Sequence, residues 1–454
     1  MPKDPVPELL TRATAVLERE FRNLEGYEAE AGVDFEALAQ VLEEAAHRLG
    51  DNYPYFHPLY AGQMLKPPHP VARAAYALAM KINPNNHALD GGRASSAMEV
   101  EAVREIAGMF GWTEFLGHLT SSGTMANLEA LWIAGQLRPG QRIVGSEQAH
   151  YTHQRISGVL KLEFTAVAAD ERGRMRLDAL EDELRKGDAG TVVATLGTTA
   201  NGAVDPLAEI LPLAARYGCR VHVDAAYGGY FTLIAEELGE PARRAYATLV
   251  RADSIVIDPH KHGLQPYGCG CVLFREPEVG RFYKHDSPYT YFSSKELHLG
   301  EISLECSRAG AAAVALWATQ RLLPLKPDGE FARGLAKGRR AALELDRRVR
   351  GDARFVARAG QPELDIVVWA CRADSAPEAS DRAQEIFDAC ARRGLHLALV
   401  QLPGSWFGWP EHDPKGLSTV KCLRSVLMKP GHEAWMDAIW ERLSQTCQDV
   451  ARQA

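Results

Sequence analysis

Short apolar runs alternate with amphipathic segments through the middle of the chain, between about residues 110 and 275. The runs are rich in β-branched residues and are bounded by turn-forming residues, which predicts buried strands. The intervening segments, such as Leu177–Lys186, have helical spacing. This alternation predicts a mostly parallel sheet with helices on both of its faces. The predicted strands are Arg142–Ser146, Phe164–Ala168, Thr191–Leu196, Val221–Val223, Ser254–Ile257 and Cys269–Phe274.

The two ends of the chain show other patterns. Residues 1–50 are typical of amphipathic helix, most clearly at Phe35–Leu42, and residues 51–70 are a loop rich in proline and aromatic residues. Val71–Ile82 is predicted to be helical, and Ser96 and Glu99 have the spacing of a capping box that opens a helix through Phe110. Further elements are predicted at Gly329–Arg350, Asp365–Ala370, Ala383–Arg393, Leu395–Gln401 and Cys422–Met428, and from His432 onward.

These patterns divide the chain into three parts. We predict an N-terminal helical arm with its aromatic loop (1–60), a large α/β domain (61–320) and a small α+β domain (321–454). Of the 454 residues, 46% are hydrophobic and 24% are charged, which is ordinary for a globular protein.

Charge and cysteine usage narrow the classes of function. A formal net charge of −8 argues against a nucleic acid or an anionic membrane as partner, because both call for a basic face. No apolar run approaches the roughly 20 residues of a membrane span, and no apolar signal core follows Met1, so the cytoplasm is the expected location. The eight cysteines include no CxxC pair, and His150 and His153 lack an evident third ligand, so no metal site is predicted.

Lys261 lies in a loop between two predicted buried strands, Ser254–Ile257 and Cys269–Phe274. Asp258 and Pro259 end the first strand, because proline cannot donate to a ladder. A lysine amine that loses its solvation in such a place has a lowered pKa and is suited to bonding with a carbonyl group. The alternative is a surface lysine beside two polar histidines.

A second segment with a candidate functional residue is Arg220–Phe231, whose sequence is RVHVDAAYGGYF. Its short strand ends at Asp224, and ligands of α/β sheets bind where strands end. A buried carboxylate needs a cationic partner, and a protonated pyridine nitrogen would be one.

The two stretches together resemble a known enzyme family. An aspartate at a strand end, followed 37 residues later by a lysine, resembles the pyridoxal-phosphate enzymes of the aspartate aminotransferase fold. More narrowly, HVDAAYGGYF with DPHKHGLQPYG is similar to the group II amino-acid decarboxylases, which include aromatic, glutamate and archaeal tyrosine/aspartate decarboxylases. The resemblance covers about residues 50–430. It implies a seven-stranded, mostly parallel sheet, pyridoxal 5′-phosphate as cofactor, and a homodimer with active sites at the interface.

The resemblance also implies roles for individual residues. Lys261 would carry the cofactor, Asp224 would pair with the ring nitrogen, and His150 would stack on the ring and help to orient the substrate carboxylate. Ser122, Gly123 and Thr124 lead into a predicted helix whose N–H groups would hold the phosphate. Three further cofactor contacts are expected, at Thr198, Ala226 and His260.

Substrate contacts are expected from three other segments. Tyr289, in a segment of mixed polarity, is the first choice for the proton donor to the substrate carbon, and Tyr291 is the second. His57 and Tyr60 of the aromatic loop are candidates for substrate contact. Arg308 would hold a carboxylate with its forked guanidinium or brace the neighbouring loop.

The predicted activity is therefore decarboxylation of an L-amino acid to an amine and CO2. The aromatic loop, with Trp406 and Trp409, favours an aromatic substrate. An acidic substrate is the alternative, with Arg308 or Lys66 as the second cation. Aminotransfer or carbon–carbon lysis on the same fold, and a catalytically silent pyridoxal-phosphate-binding protein, also stay open. His262 and Asp258 depart from the aromatic enzymes and leave the identity of the substrate open.

Overall fold

The computed structural model describes residues 6–21, 32–284, 298–410 and 418–453. Tyr289 and Tyr291, predicted as proton donors, lie outside the described residues. The elements of the first part are α1 (Val6–Glu20), α2 (Phe35–Leu49), α3 (Pro70–Ala79), α4 (Leu89–Met109), β1 (Leu116–Thr120), α5 (Gly123–Leu137), β2 (Arg142–Ser146), α6 (Thr152–Val159), β3 (Phe164–Val167), α7 (Leu177–Leu184), β4 (Ala189–Thr195), α8 (Leu207–Arg216), β5 (Arg220–Asp224), α9 (Glu240–Ala247), β6 (Ser254–Ile257) and β7 (Gly270–Phe274).

The remaining elements follow residue 298. They are α10 (Gly310–Leu322), α11 (Glu330–Arg350), β8 (Phe355–Ala357), β9 (Ile366–Cys371), α12 (Ala376–Arg392), β10 (Ala398–Pro403), β11 (Thr419–Val426), α13 (Gly431–Ala434) and α14 (Met436–Gln453). None of the described helices combines the length and the apolar character that crossing a membrane requires.

Seven strands form the larger sheet in the order β1-β7-β6-β5-β4-β2-β3. The pairs from β3 to β6 are parallel, whereas β7 runs antiparallel to both β6 and β1. Strands β2, β4 and β6 are buried along their whole length, as expected for parallel strands covered on both faces. The predicted fold, a mostly parallel seven-stranded sheet between helices, is confirmed.

The register of this sheet brings the strand ends of the predicted site together. Thr195, the last residue of β4, pairs with Asp224, the last of β5, and Asp224 pairs with Val256 of β6. Because these strands are parallel, the loops that follow them leave the same edge of the sheet.

A second sheet of four antiparallel strands, in the order β10-β11-β9-β8, lies in the C-terminal third. Its core is formed around Trp369, with Leu345 of α11, Leu423 of β11 and Leu443 of α14, all buried. Leu59 and Ala61 from the N-terminal loop belong to the same core. The division of the chain at residues 60 and 320 stays a prediction.

The predicted capping box is wrong. Helix α4 begins at Leu89, seven residues before Ser96, and is interrupted at Gly92, which has non-helical torsion angles. Ser96 and Glu99 are buried inside the helix. The Glu99 carboxylate accepts hydrogen bonds from Leu119 N–H of β1 and from the Arg308 guanidinium, so its polarity serves a tertiary contact.

The N-terminal arm contains two helices, α1 and α2, where the sequence predicted one amphipathic segment. None of the described residues in either helix is buried within this chain. The apolar residues of α2 are among the most exposed in the protein; Phe35 and Leu49 are 65% and 67% exposed.

Candidate active site

The ends of β4, β5 and β6 and the start of α5 surround a pocket of about 200 Å³. Eight of the nine predicted cofactor contacts line this pocket, namely Ser122, Gly123, Thr124, His150, Asp224, Ala226, His260 and Lys261. The structure therefore brings together residues that are up to 139 positions apart in the sequence.

Lys261 lies in this pocket and not on the open surface. Its Nζ atom is 3.0 Å from Oδ2 of Asp258, the residue that follows β6. The other carboxylate oxygen of Asp258, Oδ1, is buried and has no hydrogen-bond partner among the described residues. Asp258 departs from the pattern of the aromatic decarboxylases, and its place in the pocket was not predicted from the sequence.

Asp224 is the acidic group at the end of β5. Its Oδ1 accepts a hydrogen bond from Ala226 N–H at 3.1 Å, and its Oδ2 accepts one from His153 Nε2 at 2.8 Å. Burial alone would raise the pKa of Asp224, but the hydrogen bond from His153 and the positive charge of Lys261 outweigh it and hold that pKa well below its usual range. Asp224 therefore presents a carboxylate to the pocket.

His153 lies behind the pocket and not at the surface. It is fully buried in the first turn of α6, and its Nδ1 has no hydrogen-bond partner among the described residues. Its spacing of three from His150 was a usable signal, because such residues share one face of a helical turn. His153 binds Asp224 and His150 lines the pocket, and within the described ranges no cluster of ligands suits a metal ion.

His150 lines the pocket with a fixed ring orientation. Its Nδ1 accepts from Thr152 N–H at 3.3 Å and lies 2.8 Å from Thr152 Oγ1. Burial lowers the pKa of His150, which favours the neutral ring. With Nδ1 acting as an acceptor, the ring proton is on Nε2.

Ser122 and Gly123 build the start of α5. Ser122 caps the helix, and its Oγ accepts from Met125 N–H at 3.2 Å. A side chain at Gly123 would meet Asp258, since an added Cβ would lie 2.5 Å from Oδ2. The first N–H groups of a helix have no intrahelical acceptor, so the start of α5, together with the Thr124 side of the pocket, is suited to an anion.

Thr198 was expected to contact the cofactor, but the structure places it outside the pocket. Its Oγ1 donates to Asn201 Oδ1 at 2.6 Å and accepts from Ala203 N–H at 3.0 Å, and it does not line the pocket. The chain turns at Gly197, whose φ of 96° lies in the left-handed region. Thr195 and Thr199, on either side of this turn, line the pocket instead.

The expected substrate residues lie elsewhere in the single chain. Tyr60 is buried against Tyr55, with ring centroids 4.9 Å apart, and the His57 ring lies 4.7 Å from that of Trp435. Arg308 Nη1 is bound to Glu99 Oε1 at 2.7 Å and to Leu119 O at 2.6 Å. Of its two expected roles, bracing the loop fits these contacts.

The donor set of the pocket fits pyridoxal phosphate. A helix start and hydroxyl groups suit its phosphate, the Lys261 amine suits its aldehyde, and the Asp224 carboxylate suits its ring nitrogen. Thr195 Oγ1 and Asp258 Oδ1 also line the pocket and are buried without partners in the described part of the chain, as expected where a polar ligand completes a site.

Comparison with known proteins agrees with this chemistry. A family model described as the pyridoxal-dependent decarboxylase conserved domain matches residues 36–372. An L-tyrosine decarboxylase of Enterococcus faecium is 27% identical and is matched over 73% of this chain and 72% of its own length. A "Probable L-tyrosine/L-aspartate decarboxylase" of Methanoregula boonei is 29% identical over 76% of this chain and 88% of its own.

Solved structures share the fold. The crystal structure of Oryza sativa TDC with PLP and tryptamine superposes with a TM-score of 0.79 at 18% identity, covering 99% of both chains. Because the family model spans most of the sequence and the pocket fits the cofactor, the chain belongs to the pyridoxal-dependent decarboxylase family and is a pyridoxal-phosphate-dependent carboxy-lyase.

Proposed function

We propose that this decarboxylase acts on an aromatic L-amino acid, with Lys261 as the residue that carries the cofactor. The supporting observation is the charge of the pocket. Among the described lining residues Lys261 is the one lysine, and no arginine is present. A substrate with a second carboxylate would need a further cation, since a buried carboxylate is costly without a partner.

The two cations considered for an acidic substrate lie away from this pocket. Arg308 is bound to Glu99 and to a backbone carbonyl of β1. Lys66 lines a different cavity, which contains no part of the Asp224 pocket. Among relatives, both tyrosine and aspartate occur in the names, and the charge of the pocket favours the aromatic member of that pair.

The residues of the pocket would have separate roles in the decarboxylation. Pyridoxal phosphate, when bound, supplies the electron sink that makes the bond between Cα and the carboxylate breakable. Ser122, Gly123 and Thr124 would hold its phosphate, and Asp224 would keep a proton on the ring nitrogen through its carboxylate. His150 would limit the tilt of the ring and, through Nε2–H, orient the substrate carboxylate.

The proton donor at Cα stays a prediction, with Tyr289 before Tyr291. Lys261, whose ammonium lies beside Asp258, would release the amine product. Family membership favours decarboxylation over aminotransfer and over a catalytically silent protein, both of which the motifs alone leave open.

The test is a product analysis on the purified protein with pyridoxal phosphate. L-tyrosine, L-phenylalanine, L-tryptophan, L-aspartate and L-glutamate are supplied separately, and CO2 and amines are measured by mass spectrometry. We expect the amine of an aromatic substrate. Release of β-alanine from aspartate, or of the corresponding amine from glutamate, with no aromatic amine, would make the substrate proposal wrong, and a keto acid without CO2 would indicate aminotransfer.

The lysine assignment has its own readout. Lys261→Ala should lose the absorbance band of protein-bound cofactor, because no other lysine lines the described part of the pocket. Lys81→Ala is the matched control, since Lys81 is exposed and lies outside the pocket. A band of unchanged position and intensity in Lys261→Ala would contradict the assignment.

We also propose that the active unit is a homodimer. The exposed apolar residues of α1 and α2 support this, because a stripe of this kind marks a contact surface. The cytoplasmic location expected from the sequence stays a prediction.

A further inference from the structure

A second cavity, of about 610 Å³, has His262 in its wall and shares none of its described lining residues with the active-site pocket. It lies between the start of α3, the first turns of α11 and the segment after β11. Most of its wall is apolar, with Phe331, Leu335, Leu264 and several prolines. Its volume is within the range of small-molecule sites, about 300–1,000 Å³.

The polar part of this wall is cationic. Lys66, Arg333, Lys337 and Lys429 line the cavity, against one acidic lining residue, Glu330. None of the four cations forms an ion pair with a carboxylate in the described part of the chain, although the protein as a whole carries a net charge of −8. An excess of unpaired cations in an acidic protein attracts an anion.

Two of these amines have backbone carbonyl groups as their hydrogen-bond acceptors. Lys66 is half-buried, and Lys429 is buried with its Nζ also 5.1 Å from the centroid of the Tyr60 ring. Lys66 Nζ has one long contact, 3.5 Å to Met428 O, and Lys429 Nζ donates to Tyr60 O at 2.6 Å. Burial lowers the pKa of Lys66 to about 8 and that of Lys429 to about 7, and the charge of Lys66 lowers the pKa of Lys429 further. A bound anion would reverse this effect on both amines.

His262 gives an independent sign of a missing partner. Its side chain is 1% exposed, it lines the cavity, and its Nδ1 has neither a hydrogen-bond partner nor an ion-pair partner among the described residues. Its Nε2 lies 3.3 Å from Asp365 Oδ2, and Asp365 Oδ1 accepts from Tyr227 OH at 2.6 Å. Buried polar atoms are seldom left without a partner, so the unpartnered Nδ1 of a residue that lines the cavity supports a polar ligand there.

We propose that this cavity is a second binding site, which takes a small carboxylate with an apolar body. The ammonium groups of Lys66 and Lys429 would hold the carboxylate, and the wall around Phe331 and Leu335 would cover its apolar part. This site is separate from the active-site pocket and does not depend on which amino acid the enzyme decarboxylates. The contacts of Asp365 with Tyr227 and with His262 connect a residue that lines the active-site pocket to one that lines this cavity.

The test uses the full-length protein loaded with pyridoxal phosphate and three probes. Benzoate has the proposed chemistry, benzamide has its shape without the charge, and inorganic phosphate has the charge without the apolar body. Binding is measured by equilibrium dialysis at constant ionic strength. We expect benzoate to bind more tightly than either other probe.

Substitutions then locate the bound benzoate. Lys66→Met and Lys429→Met should each weaken benzoate binding by about tenfold or more, the loss of one charge-assisted hydrogen bond, and leave the cofactor absorbance unchanged. Lys81→Met, an exposed lysine away from the cavity, should bind as the wild type does. Equal binding by all variants, or binding of phosphate in preference to benzoate, would overturn the proposal.

A crystal of the wild-type protein soaked in benzoate keeps the test independent of how the variants fold. Density for benzoate between Lys66 and Lys429 is the expected result. A cavity filled by a segment of a second subunit, or empty at saturating benzoate, would contradict it.

Discussion

The hydrogen bond from His153 Nε2 to Asp224 Oδ2, 2.8 Å long and fully buried, makes His153 a positioning residue for the acidic group of the site. In His153→Leu, Asp224 loses its side-chain donor, so burial should raise the Asp224 pKa. If Asp224 acts as a carboxylate, as proposed, activity should then be lost at a higher pH than in the wild type as the pH is lowered. We expect the acid limb of the profile of kcat against pH to move upward, and kcat at neutral pH to fall by about 10- to 100-fold.

His153→Gln separates this role from simple packing. Glutamine keeps an N–H donor of similar reach, so it should return the acid limb toward its wild-type position. A purely structural histidine would instead lower stability in both variants and leave the pH profile in place.

At this scale the sequence identified the residues that lie where a strand or helix ends. Asp224 follows one predicted strand and Lys261 lies in the loop after another, so the pattern of strands places both at one sheet edge. Gly123 was identified from the turn before a predicted helix. Thr198 was expected to contact the cofactor, and Thr199 lines the pocket instead. The direction of a side chain in a turn depends on the torsion angles, here φ of 96° at Gly197, which the sequence does not specify.

The contact of Arg308 with Glu99 joins three elements, the segment before α10, helix α4 and strand β1. Arg308→Met would leave Glu99 as a buried charge without its main partner, which costs about 3–5 kcal/mol. We expect a lower urea midpoint of unfolding with an almost unchanged KM. A substrate-binding arginine would give the reverse, a raised KM at normal stability.

The double variant Glu99→Met with Arg308→Met completes this test. Replacing both partners of a buried ion pair with apolar groups is often nearly neutral. The double variant should therefore recover much of the stability that the single variant loses. Additive losses would show that the two residues stabilise the fold independently of each other.

Strands and helices were predicted best where the sequence has one clear pattern, such as an uninterrupted apolar run. Six of the seven strands of the large sheet, β2 to β7, were placed within two residues at each end, because their runs are apolar and β-branched. Strand β1 was missed because LGHLT carries a buried histidine, His118, whose Nε2 lies 3.0 Å from Glu129 Oε2. Helix α12 begins at Ala376, seven residues before its predicted start, because Ser375 caps it and Pro377 lies in its first turn, where a proline is tolerated.

At the scale of the whole molecule, the class of fold followed from the alternation of strands and helices, but the strand order did not. β7 lies between β6 and β1 and runs antiparallel to both, an arrangement fixed by tertiary contacts of residues far apart in the sequence. The packing of the N-terminal arm was not predictable either. Its amphipathic pattern predicts an apolar face but does not indicate which surface that face packs against.

Helix α2 offers the sharpest test of the proposed dimer. Phe35, Leu38, Leu42 and Leu49 fall on one face of the helix, and each is between 44% and 67% exposed in the single chain. If a second subunit covers this face, Leu42→Glu would bury a carboxylate without a partner and should convert the dimer to monomer, as measured by light scattering during size-exclusion chromatography. Gln40→Glu adds the same charge on the opposite, polar face and should remain dimeric.

Measurements of activity test whether the dimer is needed to complete the active site. If the active site is completed at the interface, kcat per subunit of Leu42→Glu should fall together with its dimer fraction and recover at high protein concentration, because mass action restores the dimer. Gln40→Glu should keep the wild-type rate at every concentration. A monomeric Leu42→Glu with full activity would leave the dimer proposal standing and remove its role in catalysis, whereas a wild-type monomer would contradict the proposal itself.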